Sequence, residues 1–235
     1  SMIQRLMQRK NLKYLLPLVV GALVVLGFKW FGPEEEKEAV IFSLVRDALT
    51  NVHLQPKEVD DALSEQVYEN YLNTLDYNKL FLTQNELGQL AVYKKELDNL
   101  FQLGDTRFFT LSYGLITSGI DASKEIYTQL LSEPFDYTVE ERIGNNPESR
   151  TFAQNIEEHV EFWRKHLKWR VLNRIYEKDR AQKEDAETDE TVALKSFETL
   201  ESKAREKELE LQNECHEDLM DVSRLEWFGM YMNAY

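Results

Sequence analysis

His159 and His166 stand seven residues apart, close to two helical turns, and so share one helix face. Imidazoles placed that way could hold a metal ion or relay a proton. A helical zinc site of the protease type needs histidines at i and i+4, with a glutamate directly after the first. Here Val160 follows His159 and Trp163 fills the i+4 position, so both histidines read as solvated or hydrogen-bonded. Glu214-Cys215-His216-Glu217 offers metal-ligand types, but consecutive helical residues point in different directions. Cys215 is the only cysteine and cannot form an internal disulfide. Its acidic neighbours raise its pKa, which makes it an inert, partly buried thiol. His53 lies near a turn and receives no role. Ser112, Ser118 and Ser123 fall on a helix without an evident base, and neither a Gly-x-Ser-x-Gly elbow nor a Gly-rich phosphate loop occurs. No catalytic, cofactor-binding or metal-ligating residue is assigned, and no cofactor is implied.

The elements that would carry these side chains are helical. The chain has 235 residues, with only 9 Gly and 5 Pro, so turns are few and elements long. The net charge is −14 but is unevenly spread. Residues 1–31 hold Arg5, Arg9, Lys10, Lys13 and Lys29 and no acid; the remainder carries 23 cations against 42 acids. So acidic a body excludes a nucleic-acid binder, because phosphate neutralisation needs a cationic face.

The basic stretch Gln4–Lys13 is followed by fifteen uncharged residues, Tyr14–Phe28, and then by Lys29, Trp30 and Phe31. A positive flank, an apolar core and interfacial aromatics are the marks of an export signal or signal anchor. The run is short for a span of about 17–25 residues, and counting on to Phe31 with a snorkelling Lys29 brings it within range. No clear Ala-x-Ala cleavage site follows, Gly21-Ala22 being a weak candidate. An uncleaved inner-membrane anchor through Tyr14–Phe31 is favoured over a cleaved signal peptide. Either way the acidic body is expected in the periplasm. Residues 32–38 form an acidic spacer and 39–235 the helical domain.

Apolar residues at helical spacing predict helices over Ala39–Val52 and Asp60–Leu75, with Pro56 between them. Thr83 and Glu86 form a capping box for a helix to Leu103, stopped by Gly104. Asp105 caps a helix to Leu131, ahead of Pro134. Phe135–Val139 has strand-like composition and residues 144–147 form a loop. A long helix over Ala153–Glu177 carries the stripe Ile156, Val160, Trp163, Leu167, Val171 and Ile175. Lys183–Glu190 lacks such a stripe and reads as an exposed loop. A helix over Thr191–Asp218 follows, and its charge-laced half Glu201–Glu214 looks solvated or partner-facing. Trp163, Trp169 and Trp227 are expected in a core or interface rather than at a cofactor. The fold class is therefore all-α: an irregular multi-helix domain of long amphipathic helices behind an apolar anchor helix.

Asp221–Tyr235 reads as an amphipathic helix without a stop signal, and Ser1 precedes Met2. Both suggest an N-terminal piece of a larger protein. Glu69-Asn-Tyr-Leu-Asn-Thr-Leu-Asp-Tyr77, followed by Leu80-Phe-Leu82 and Thr83, resembles the start of the tail-specific proteases, the C-terminal processing peptidases of bacterial envelopes. The similarity continues through Phe108-Phe109 to Leu131, Ser132–Thr138, Glu161-Phe-Trp163 to Lys178, and Arg224–Tyr235, covering roughly residues 40–235. The resemblance implies a PDZ domain that binds peptide C-termini and a Ser–Lys serine protease domain beyond this chain. None of the family's catalytic residues transfers to a position here. It implies a non-catalytic helical platform that helps enclose protein substrates and, in some members, docks a periplasmic adaptor. The alternative is a membrane-anchored helical adaptor or scaffold that binds a basic partner through the acidic helix Glu201–Glu214.

Overall fold

The computed structural model describes residues 33–51, 60–144, 146–189, 191 and 193–235. The anchor segment, His53 and Pro56 lie outside the described residues. Among the described residues eight α-helices follow one another: α1 (Glu34–Asn51), α2 (Asp61–Leu75), α3 (Gln84–Ala91), α4 (Leu97–Leu103), α5 (Arg107–Ser132), α6 (Ile156–Thr188), α7 (Phe197–Asp221) and α8 (Arg224–Met232). A short 3-10 turn spans Pro147–Ser149, and no strand occurs among the described residues. The all-α expectation holds for the described residues, while the expected anchor helix lies outside them. No helix among the described residues is long and apolar enough to cross a membrane.

Two hydrophobic centres share α5. Its first half packs with α1–α4 and α8 around Phe42, Tyr71, Phe101, Phe108, Phe109, Phe228 and Tyr231. Its second half packs with α6 and α7 around Tyr127, Trp163, Leu167, Val171 and Leu200. The first centre is an aromatic nest. Tyr71 meets Tyr231 edge-on at 5.1 Å between ring centroids, and Phe109 meets Phe228 at 5.0 Å. Such edge-to-face pairs add about 0.5–1.5 kcal/mol beyond area burial. Phe81 packs against both centres, and the carbonyl of that residue sits over Gly119 of α5.

Local signals set several boundaries as read. Thr83 and Glu86 complete their capping box. Gly104 ends α4 at φ 69°, and the Asp105 N–H returns to the Leu100 carbonyl at 2.8 Å. Asp105 lies one residue outside the cap of α5, Thr106, and accepts from the Arg107 N–H at 2.9 Å.

Other boundaries differ. The single helix expected from Thr83 to Leu103 is two, because buried Ser64 of α2 takes over the backbone partners at the break. Its hydroxyl donates to the Lys94 carbonyl at 2.9 Å and accepts from the Leu97 N–H at 2.8 Å. The segment from Lys183 is helical as far as Thr188 rather than a loop. Lys183 pairs with Asp179, and Gln182 exchanges hydrogen bonds with the backbone of Lys195. These contacts replace the missing apolar stripe. Phe135–Val139 is turn, not strand: the Asp136 carboxylate accepts from the Thr138 N–H and hydroxyl. α7 begins at Phe197, capped by Ser196. The last helix begins at Arg224 behind its own capping box, Ser223 with Glu226, and gives way to turn after Met232.

Candidate functional site

Asp76 organises the turn between α2 and α3. Its carboxylate, 3% exposed, accepts the backbone N–H groups of Leu80, Phe81 and Leu82, each at 2.9 Å. Burial pushes its pKa up, and those three donors act against the rise by solvating the anion. The turn so formed presents the Leu80 carbonyl to α6. There the indole N–H of Trp163 donates to Leu80 O at 2.9 Å and to His159 Nε2 at 3.2 Å. His159 is buried and hydrogen-bonded, the second of the two expected states. Because Nε2 accepts, the proton of the neutral ring sits on Nδ1, which is buried without a partner among the described residues. Burial lowers the pKa of this imidazole, with Asp76 and Glu86 opposing.

The remaining reactive types are dispersed. His166, two turns on, is half-buried, stacks on Phe162 at 5.9 Å, and is pushed down to about 4 by desolvation and by Arg170 and Arg150. Cys215 is exposed rather than partly buried; desolvation by its surroundings and the Asp218 carboxylate raise its pKa. His216 lies near Tyr127, with ring centroids 6.5 Å apart. Among the described residues no three of His, Cys, Asp and Glu converge as metal ligands. Ser112 is buried between Tyr71 OH and the Phe109 carbonyl, each at 2.9 Å, and Ser123 donates to Ile120 O. Ser118 is exposed on α5. Neither buried serine hydroxyl contacts a Lys or His, so none of this geometry activates a nucleophile.

Charge is spent on holding helices together. Glu208 of α7, fully buried, receives Arg170 and Arg174 of α6 and Gln212. Glu201 takes Arg205 and the Tyr137 hydroxyl, and Arg205 also donates to the Leu131 carbonyl at 2.8 Å. The charge-laced face of α7 thus turns partly inward, onto α5 and α6, rather than wholly toward solvent. The sequence pattern hid this, since a buried carboxylate looks like any other until its arginines arrive from another helix. Trp163 and Trp227 are core as expected. Ile156, 56% exposed, leaves the expected stripe for the surface, and Trp169, expected in a core or interface, is 38% exposed and outside the core.

Two of the surface clefts among the described residues flank α6. One, of about 740 Å³, runs between α5 and α6 over Ile126, Leu130, Phe135 and Val160. The other, of about 360 Å³, lies where residues 137–143 pass beside Lys165, Lys168, Trp169 and Leu172 of α6. The Asp76 turn is thus locked onto the long helix α6, with a cleft on either side of residues 135–137. The family described as tail specific protease N-terminal domain matches residues 45–235. The chain belongs to this family. The match takes in the Asp76 turn, the Trp163 helix and α8, three of the segments that carried the resemblance. It assigns to this tail-specific protease N-terminal domain a non-catalytic part, with other domains in the same polypeptide and proteins as substrates.

Proposed function

We propose that the chain is the helical platform of a periplasmic tail-specific serine endopeptidase, tethered to the inner membrane by Tyr14–Phe31. The platform helps enclose unfolded protein substrates, and docks an adaptor where one exists, while a PDZ domain and a Ser–Lys protease domain perform recognition and cleavage. The family match over residues 45–235 carries this reading. It is supported by the two clefts and by a frame in which Glu201 and Glu208 are buried against arginines. Arg170, Arg174 and Arg205 neutralise Glu208 and Glu201, which leaves only Glu206, Glu210 and Glu214 of the acidic helix exposed for the alternative, a basic partner.

The test is proteolysis of an unfolded, C-terminally tagged protein by the full-length parent, with and without residues 33–235. Deletion should lower the rate by about tenfold or more, since substrate positioning contributes heavily to catalysis. An undiminished rate, or cleavage by the 235-residue chain alone, would overturn the proposal. A periplasmic reporter fused after residue 38 reads the localisation; activity only in the cytoplasm would refute it.

A further inference from the structure

The smaller cleft has the features of a peptide-binding edge. Its floor is apolar and open to water: Val139 is 52% exposed, Trp169 38% and Leu172 43%, with Ile143 beside them. Apolar surface of this kind, clustered rather than scattered, marks an interaction site. One wall is the irregular segment 139–143, in which no backbone N–H donates to an acceptor among the described residues. That wall is not loose. Lys168 donates to the Val139 carbonyl at 3.1 Å, and Glu141 is clamped by Arg164 and Lys168. Glu141 is thereby held far below the usual carboxylate range, at about 2. The segment is therefore pinned to α6, while its N–H groups have no partner among the described residues.

The electrostatics add a sign. In a strongly acidic body, this cleft is lined by Arg142, Lys165 and Lys168 against Glu140 and Glu141. Lys168 is committed to Glu141, and Lys165 lies 3.5 Å from Glu161. Arg142 is exposed and has no carboxylate partner among the described residues. An apolar floor, a backbone edge and a guanidinium both unpartnered among the described residues fit an extended chain that alternates apolar side chains with backbone donors and acceptors. The guanidinium fits a carboxylate on that chain.

We propose that the cleft between segment 139–143 and the Trp169–Leu172 face of α6 binds an extended, apolar polypeptide segment flanked by an Asp or Glu side chain. This rests on the platform reading, in which unfolded substrate passes along the domain, and names where the substrate is held.

The test is fluorescence anisotropy of a labelled, C-terminally amidated dodecapeptide of Val, Ala and Leu with one internal Asp, titrated with the 235-residue chain. Saturable binding is expected. Leu172→Asp, a change at an exposed position, should weaken it by about tenfold, and Trp169→Ala serves as a second variant. Arg142→Glu, or Asp→Asn in the peptide, should each cost roughly threefold, and together no more than either alone. A peptide N-methylated at alternate residues should lose about tenfold or more. Ile156→Asp, in the other cleft, should change nothing. Absence of binding, insensitivity to both floor variants, or equal loss with Ile156→Asp would each overturn the proposal. Since the titration needs no protease domain, it can fail while deletion of residues 33–235 still cripples the parent, leaving the platform standing without this groove.

Discussion

Trp163 donates its indole N–H to the Leu80 carbonyl at 2.9 Å, across 83 residues of sequence. This bond ties the long helix α6 to the turn that Asp76 builds, and so joins the two hydrophobic centres. Trp163 is 2% exposed. Trp163→Ala should cost about 3–5 kcal/mol through lost burial and a cavity. Trp163→Phe keeps most of the volume but strands the carbonyl, at about 1–2 kcal/mol. Urea melts of the two variants separate packing from hydrogen bonding; equal losses would show that the bond, not the ring, carries the joint.

Asp76→Asn tests the turn itself. The amide keeps the shape but faces three backbone donors with one oxygen and one NH₂ group. Hydrogen bonds to a charged group are worth about 1.5–3 kcal/mol, so a loss of about 2–3 kcal/mol is expected in thermal or urea unfolding. Hydrogen exchange at Leu80, Phe81 and Leu82 should accelerate. Unchanged exchange there would mean that the turn holds without its anion.

Gly119 and Gly114 lie on the same helix and should respond in opposite directions. A Cβ at Gly119 would meet the Phe81 carbonyl oxygen at 2.3 Å, a backbone atom that cannot rotate away. Gly119→Ala should cost about 1–3 kcal/mol. A Cβ at Gly114 meets nothing within 4 Å, so Gly114→Ala should stabilise by about 0.5–1 kcal/mol through helix propensity. A pair of thermal melts decides it.

Glu208 is fully buried, whereas Arg170 and Arg174 are each about a third exposed at their side chains. Removing one partner of a fully buried pair costs about 3–5 kcal/mol. Partial solvent access to the arginines reduces this, and Glu208→Ala should cost about 1–3 kcal/mol. Its effect should be non-additive with Arg170→Ala, which a double-mutant cycle would detect.

Acid should loosen the fold before its carboxylates titrate. His159 and His166 both have depressed pKa values, His166 at about 4. A depressed histidine binds its proton more weakly folded than unfolded. Stability is therefore full above about pH 6.5 and is lost as pH falls toward 4. His166 contributes at most about 2 kcal/mol of loss between pH 6.5 and 5. His166→Gln should flatten the profile over that window, measured as urea midpoints at pH 7 and 5. An unchanged slope would assign the acid sensitivity to other groups.

What the sequence determined by itself is whatever depends on neighbours within a few residues. The Thr83–Glu86 box, the Gly104 stop and the apolar stripe from Trp163 to Ile175 obey local sterics and hydrogen bonding, and all are found where the residues placed them. The family was legible for the same reason, since Tyr71–Tyr77 is one continuous segment. Tertiary structure decided the rest. Ser64 breaks the helix at residues 92–96 from 30 residues away, and Gln182 extends α6 by binding Lys195. Arginines on α6 turn Glu208 from a surface carboxylate into a buried one, and the pinning of Glu141 leaves Trp169 and Leu172 at the surface beside a backbone edge unpartnered among the described residues. Each outcome turns on a partner distant in sequence, and a period of 3.6 residues carries no information about which distant side chain arrives.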